Sequence, residues 1–235
     1  MILSPRLEAI ARCVPQGSRV LDVGTDHGYI PVWLVENHRV KGAIASDVSP
    51  ESLEKARQSV AARNLAGRID TRLGSGLTVI GPGECDGVIM AGMGGYLIRD
   101  LLAETPPARL KDLWLVLQPM NNGALVRHFL EDHHYRIVKE KFVCDRDIIY
   151  EVITAYPGEM TITDQMDYII GFGPAREPSP VFGRFVREKI ADEKKILNYL
   201  PDIQSKRVKQ QEEQSKERIR LLEEVLNECE KQSNF

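Results

Sequence analysis

The chain has 235 residues, 43% of them hydrophobic, with 34 acidic against 31 basic side chains and a net charge of −3. That length holds one full α/β domain with a sizeable core and a smaller appendage. The balance excludes a global basic field of the kind that draws nucleic acid to a whole surface, and the N-terminus MILSPRLEAIAR lacks the apolar core of a signal peptide.

Ser4-Pro5 reads as an N-cap followed by proline at the first helical position. Leu7, Ile10, Ala11 and Val14 then form a helical stripe that ends at Pro15-Gln16-Gly17. A strand is expected over 19–23, leading into VLDVGTDHGYIP, residues 20–31. An apolar strand, a turn with Gly24 and Gly28, and a following helix would bring backbone N–H groups and a helix N-terminus up to a ligand. The spacing D-x-G-x-x-x-G differs from the dinucleotide fingerprint G-x-G-x-x-G. It suits S-adenosylmethionine (SAM) better, because the Asp22 carboxylate can meet that cofactor's ammonium but would repel a pyrophosphate. An ordinary βα turn containing a glycine would explain the motif alone equally well.

A helix is expected over 31–37 and a second strand over 41–46, ending at Asp47, 19 residues beyond Gly28. An acid there accepts hydrogen bonds from a ribose; capping the helix at 50–64 is the structural alternative. A third strand over 69–73 runs into Gly74-Ser75-Gly76-Leu77, where a cofactor's adenine would lie. The segment DGVIMA, 86–91, reads as a strand buried on both faces. It ends in Gly92-Met93-Gly94-Gly95, whose glycines let the backbone approach a ligand closely, and a helix follows through Leu102. A strand over 114–117 ends at Gln118-Pro119, and 121–133 is helical. Residues 135–143 and 148–155 read as a closing antiparallel pair joined around Cys144-Asp145-Arg146-Asp147. Strands alternating with helices predict a doubly wound α/β sheet, with ligands at the C-terminal edge of its parallel strands.

Glycines and prolines cluster in GFGPAREPSP, so residues 158–180 are expected to be a linker between a domain over 1–157 and a helical hairpin over 181–235. Phe182, Phe185, Val186, Ile190, Leu197 and Leu200 mark one helix, and Pro201-Asp202 breaks it. Ser215, Ile219, Leu222, Leu226 and Cys229 follow coiled-coil spacing in the next. Residues 181–220 carry 11 basic and 7 acidic side chains; a solvated helical face accounts for this on charge alone. The four cysteines have no metal or redox spacing, and the uncharged run from Leu113 to Val126 is too short to span a bilayer. A cytoplasmic protein without membrane or metal is expected.

In this order, the segments LSPRLEAIA, VLDVGTDHGYIP, GSGL, MAGMGG and LVLQP, followed by a helical hairpin, resemble the bacterial tRNA (adenine-22-N1)-methyltransferase family, TrmK. The resemblance spans essentially the whole chain, and GTDHGYIP with AGMGG is far more specific than the glycine turn alone. It implies a Rossmann-like class I SAM-dependent methyltransferase domain with a C-terminal coiled coil, methylating N1 of an adenine in the D-arm of tRNA and releasing S-adenosylhomocysteine. The chain departs from the family at Ser75, where an acid or amide is expected, and at Met120, where asparagine is expected.

On that resemblance Asp22, Gly24, His27, Gly28, Asp47, Ser75, Gly76, Gly92 and Met93 are expected around the cofactor. Adenine N1 attacks without prior deprotonation, so the enzyme positions the reactants and handles the cationic product or a proton from its exocyclic amine. Asp26 is the candidate acid, with a turn-stabilising bond as its alternative. Tyr29 could stack on the base or simply pack. Gln118 could read an adenine edge or bond to backbone. Arg6 could reach the active edge or a phosphate, or merely be exposed. Lys194, Lys195, Lys206, Arg207 and Lys209, flanking Pro201, are expected to hold phosphates, with a monomer favoured. The absence of an Asn/Asp-Pro-Pro-Tyr segment fits a ring nitrogen rather than an exocyclic amine. The competing readings are a small-molecule methyltransferase with the hairpin as a dimerisation arm, an NAD-dependent enzyme, and an inactive RNA-binding module.

Overall fold

The computed structural model describes residues 1–199 and 206–233. Five parallel strands are β1 (Arg19–Val23), β2 (Gly42–Asp47), β3 (Ile69–Leu73), β4 (Gly87–Met93) and β5 (Trp114–Pro119). The antiparallel pair β6 (Tyr135–Asp145) and β7 (Ile148–Pro157) completes a seven-stranded sheet in the order β3-β2-β1-β4-β5-β7-β6. The doubly wound fold follows from continuously apolar central strands, whose successive side chains feed opposite faces. On β4, Val88 and Met90 enter one core while Ile89 enters the other.

Helices α1 (Pro5–Cys13), α2 (Tyr29–Glu36) and α3 (Pro50–Ala61) cover one face through Ile10, Leu34 and Val60. Helices α4 (Gly95–Ala103) and α6 (Gly123–Asp132) cover the other through Ile98, Leu102, Val126 and Leu130, beside the one-turn helix α5 (Pro107–Leu110). Ser4 caps α1 as expected, its hydroxyl accepting from the Leu7 amide at 3.5 Å. The β6–β7 connection is tighter than expected. Only Arg146 and Asp147 form the turn, with φ of 49° and 65°. Two consecutive positive φ values are the type I′ geometry that matches the twist of paired strands, so the pairing extends to Asp145 and Ile148.

Residues 158–180, expected as a linker, are folded onto the sheet. Helix α7 (Gln165–Ile170) buries Met166, Tyr168 and Ile170. The cause is a buried arginine: Arg127 on α6 donates to Glu140 of β6 at 2.6 Å, to Glu151 of β7 at 2.5 Å and to the Tyr168 carbonyl at 3.0 Å. Burial disfavours its charge, but the two carboxylates outweigh that and raise its pKa. Glu131 accepts from the Ile162 amide at 2.7 Å, and Glu140 from the Phe172 amide at 3.0 Å. Gly/Pro content marks loops, not mobility, and here charged residues of the main domain bind the loop's backbone.

The arm consists of α8 (Phe182–Tyr199) and α9 (Lys206–Ser233). Its base is not free. Phe182, Phe185, Val186, Ile190 and Leu222 share an apolar cluster with Phe142 of β6 and Met166 and Ile170 of α7. Of the expected seam, Ser215 and Leu222 are buried, and Ile219, Leu226 and Cys229 pack against that cluster. Leu200 and the Pro201 break lie outside the described residues.

Candidate active site

The parallel register gathers the expected cofactor residues along one edge. Val23 pairs with Ser46 of β2 and Met90 of β4, while Asp47 at the end of β2 pairs with Leu73. The loops after β1, β2, β3 and β4 therefore open side by side. Gly24 turns away from β1 with φ of 70°, and Gly92 bulges β4 with φ of 75°. Both conformations favour glycine. A Cβ on Gly24 would also stand 2.4 Å from the terminal methyl of Met93, so these two expected cofactor-side elements face each other.

The turn spends part of its backbone on itself: the Gly24 and Thr25 amides both donate to the Ser46 carbonyl, at 2.8 and 3.0 Å, tying β1's loop to β2. The amides of Asp26 and His27 have no partner among the described residues. Asp22 lies beneath, only 4% exposed. Its Oδ2 accepts from the Thr25 hydroxyl at 2.7 Å, and its other oxygen has no donor among the described residues. Burial, with the nearby Asp47 carboxylate adding to it, pushes its pKa up to about 7 against the Thr25 bond. A buried carboxylate with a single hydroxyl partner calls for a cation, which fits the ammonium-bearing, sulfonium-bearing cofactor.

Asp47 is half-buried, and one carboxylate oxygen accepts from the Ser49 amide at 2.7 Å. Ser49 is itself the N-cap of α3, so Asp47 shapes the approach to the helix without capping it, and its second oxygen has no partner among the described residues. Ser75 is exposed and its carbonyl binds Thr78, whereas Gly76 is buried against Leu101. Gly28, at the N-terminus of α2, sits against Ala56 of α3. Its role is helix packing as much as ligand approach. Among the described residues no cluster of metal-ligating side chains occurs.

Asp26 is well exposed at φ of 35°, its carboxylate 3.7 Å from the His27 ring. The His27 and Tyr29 rings stack, with centroids 5.0 Å apart and planes within 6°, so His27 supports an aromatic surface at this edge. Gln118 is fully buried, and it makes the backbone bond that is one of its two sequence readings. Its Oε1 accepts from Arg6 Nη1 at 2.8 Å and from the Gly92 amide at 3.1 Å, and its Nε2 donates to the Pro119 carbonyl at 3.0 Å. Gln118 thus links Arg6 to the β4 bulge. Arg6 reaches this strand edge from α1 through its bond to Gln118, and its guanidinium lies over the Tyr150 ring, 5.3 Å from the centroid. Tyr150 was not a sequence candidate. It lies 73–130 residues beyond the motifs of the first three strands, at 20–31, 47 and 74–77, and no local pattern marks it.

The basic residues of the arm are far along the chain from this edge. Lys194 pairs with Glu223 at 3.2 Å and Lys195 with Asp192 at 2.9 Å, both on the surface. Lys206, Arg207 and Lys209 open α9 and form no salt bridge among the described residues.

A methyltransferase-domain family model matches residues 3–153. The chain is 29% identical over 231 residues to the tRNA (adenine(22)-N(1))-methyltransferase of Bacillus subtilis (strain 168), covering 96% of this chain and 97% of that protein. The crystal structure of the B. subtilis m1A22 tRNA methyltransferase TrmK superposes with a TM-score of 0.87 at 29% identity, over 96% of this chain and 99% of that one. Streptococcus pneumoniae Sp1610, a candidate tRNA (m1A22) methyltransferase solved with S-adenosyl-L-methionine, gives a TM-score of 0.83 at 30% identity, over 96% of this chain and all, 100%, of that one. The matches run through the arm as well as the sheet, and the chain belongs to the methyltransferase-domain family and, within it, to the tRNA (adenine(22)-N(1))-methyltransferase family TrmK.

Proposed function

We propose that this protein transfers the methyl group of SAM to N1 of adenine 22 in the D-arm of tRNA. The observation that carries the reading is full-length similarity to B. subtilis TrmK, arm included, joined to a strand edge where Asp22, Gly24, Asp47, Gly76 and Gly92 converge. SAM supplies an electrophilic methyl on a sulfonium. Asp22 and the turn after β1 hold its cationic amino-acid end, and the unpaired oxygen of Asp47 accepts from its ribose. Met93 and Gly92 border the position of the reacting atoms.

Adenine N1 is already a nucleophile, so the residues at this edge contribute orientation and exclusion of water more than proton abstraction. Asp26, exposed and next to His27, is the carboxylate available to the developing cation and to the exocyclic amine. The arm's basic residues contact phosphates, which position without reading sequence. The substrate places the reaction in the cytoplasm, and a monomer suffices for it. No helix among the described residues is long and apolar enough to cross a membrane. Mass spectrometry of nuclease fragments of tRNA incubated with the protein and SAM tests the reading: 1-methyladenosine at position 22 is expected, and unmodified adenine there overturns it.

A further inference from the structure

Met120 directly follows β5, at a position where the family resemblance implies asparagine, and it is 48% exposed. Two more large apolar side chains are bare in the first turn of α4, Tyr96 at 57% and Leu97 at 50% exposure. Their backbones form one unit. The Met120 amide donates to the Met93 carbonyl at 2.8 Å, and the Gly95 amide to the Asn121 carbonyl at 3.1 Å. A Cβ on Gly95 would stand 2.6 Å from the Asn122 carbonyl oxygen and 2.8 Å from that of Asn121, so the loop after β5 seats directly on the start of α4. The Arg99 guanidinium, bound to Asp100 at 2.6 Å, lies over the Tyr96 ring, 5.1 Å from its centroid. In the sheet β4 stands between β1 and β5, so this ridge runs from Met93 away from the glycine turn after β1. Single exposed apolar side chains need no explanation. Three on one bonded ridge, continuous with the strand edge, mark a contact face.

We propose that this ridge is a wedge against the stem of the tRNA: Met120 and Leu97 fill the gap that the extruded adenine leaves in the stack, and Tyr96 covers the neighbouring base. The inference rests on the tRNA reading above and adds what happens to the helix that the base has left. N1 lies on the pairing edge, so adenine must quit its partner before methylation, at a cost of a few kcal/mol. Its departure turns the faces of the adjacent bases toward water. Apolar side chains, methionine and leucine among them, offset that cost when they enter a base step, and unstacked RNA bases rest on aromatic rings. Methionine is unbranched and fits a narrow gap, whereas an asparagine amide would need hydrogen-bond partners between the bases. Another protein could cover an apolar ridge too. Continuity favours RNA, because the backbone that carries Met120 is bonded to Met93, which borders the reacting atoms.

The test compares the full-length protein with Met120→Asn, Leu97→Ala and Tyr96→Ala on two tRNAs. In one, adenine 22 is paired; in the other, the nucleotide opposite it is changed so that it cannot pair. Each variant is expected to lower kcat/KM for the paired tRNA by about 10-fold, and by about twofold or less for the mismatched one, whose adenine is already cheap to extrude. Tyr96→Phe is expected to behave as wild type, since the ring does the stacking. Melting temperature and SAM affinity are expected to stay at wild-type values, because all three side chains are exposed. With S-adenosylhomocysteine bound, 2-aminopurine at position 22 of the paired tRNA is expected to brighten less in Met120→Asn than in wild type. Equal losses on both tRNAs overturn the proposal, leaving a plain contact surface. Unchanged kinetics on the paired tRNA overturn it as well, and leave the ridge to a protein partner. If wild type does not turn over the mismatched tRNA, a wild-type 2-aminopurine signal in Met120→Asn overturns it. A wild-type protein that transfers no methyl to either tRNA overturns the tRNA reading instead, so the two failures are distinct.

Discussion

Thr25 holds Asp22: its hydroxyl donates to Asp22 Oδ2 at 2.7 Å, beneath the glycine turn that opens the cofactor edge. Burial still dominates, and the Asp22 carboxyl is pushed up to about 7. In the folded protein it keeps its proton at pH values where the unfolded chain has lost it. Stability contributed by this group therefore falls as pH rises from the ordinary aspartate range to about 7, and levels off above. Asp22→Asn removes the ionisation. Thermal melts without cofactor are expected to show the variant gaining on wild type more at pH 8 than at pH 5. Calorimetry is expected to show wild-type SAM affinity rising with pH through about 7, and the variant binding SAM weakly and without that pH dependence.

Asp47→Ala is expected to weaken SAM binding by about 10- to 150-fold while the protein stays folded, because a hydrogen bond to a charged group is worth about 1.5–3 kcal/mol. The fold tolerates the change, since the one internal bond lost is to the Ser49 amide and Ser49 still caps α3. Titration calorimetry on a variant with wild-type circular dichroism decides it; unchanged affinity would remove Asp47 from the cofactor site.

Arg127→Ala is expected to cost about 3–5 kcal/mol, the range for breaking a buried ion pair and leaving carboxylates uncompensated. Glu140 and Glu151 would be stranded, 1% and 8% exposed at their side chains. Urea denaturation measures the loss. Limited proteolysis is the sharper readout. With Arg127 in place the stretch 158–180 is tied to β6, β7 and α6, and the variant is expected to be cut there well before wild type.

Charge reversal of Lys206, Arg207 and Lys209 to glutamate is expected to raise KM for tRNA and to flatten the salt dependence of binding, each lost phosphate contact lowering the slope by about one. The variant should melt like wild type, because these side chains form no salt bridge among the described residues. Truncation at 181 is a poorer test: it would strip Phe142, Met166 and Ile170 of the apolar cover that Phe182, Phe185 and Leu222 provide. If reversal leaves tRNA affinity and its salt slope untouched but breaks a dimer seen by light scattering, the arm is a dimerisation element.

The sheet, and the edge at which its candidate residues meet, are legible in the sequence, because each rests on local chemistry. β1 and β3 fall on their expected residues, since an apolar run bounded by glycine and charge has few alternatives to a buried strand. The acid-glycine turn after β1 and the acid after β2 reach one edge because parallel strands in register leave them no other place. Strand and helix ends drifted by up to three residues where no cap fixes them, as at the C-terminus of α3. The β6–β7 hairpin falls where the sequence puts it, around Cys144 to Asp147, but its two-residue turn is not legible because Arg146-Asp147 lacks the glycine that usually announces it.

What only the tertiary structure decided is which side chains are already taken. Gln118 ends a strand, as a substrate-reading amide would, but Arg6 arrives from 112 positions away to claim its oxygen. Residues 158–180 have the composition of a linker, yet Arg127, Glu131 and Glu140 bind their backbone from the domain before them. Tyr150 enters the site only through the fold-back of a hairpin onto α1. Composition and spacing determine the backbone's local preferences and the chemistry on offer. Burial and hydrogen-bond partners depend on contacts between distant segments, and they determine which of that chemistry remains available to a ligand.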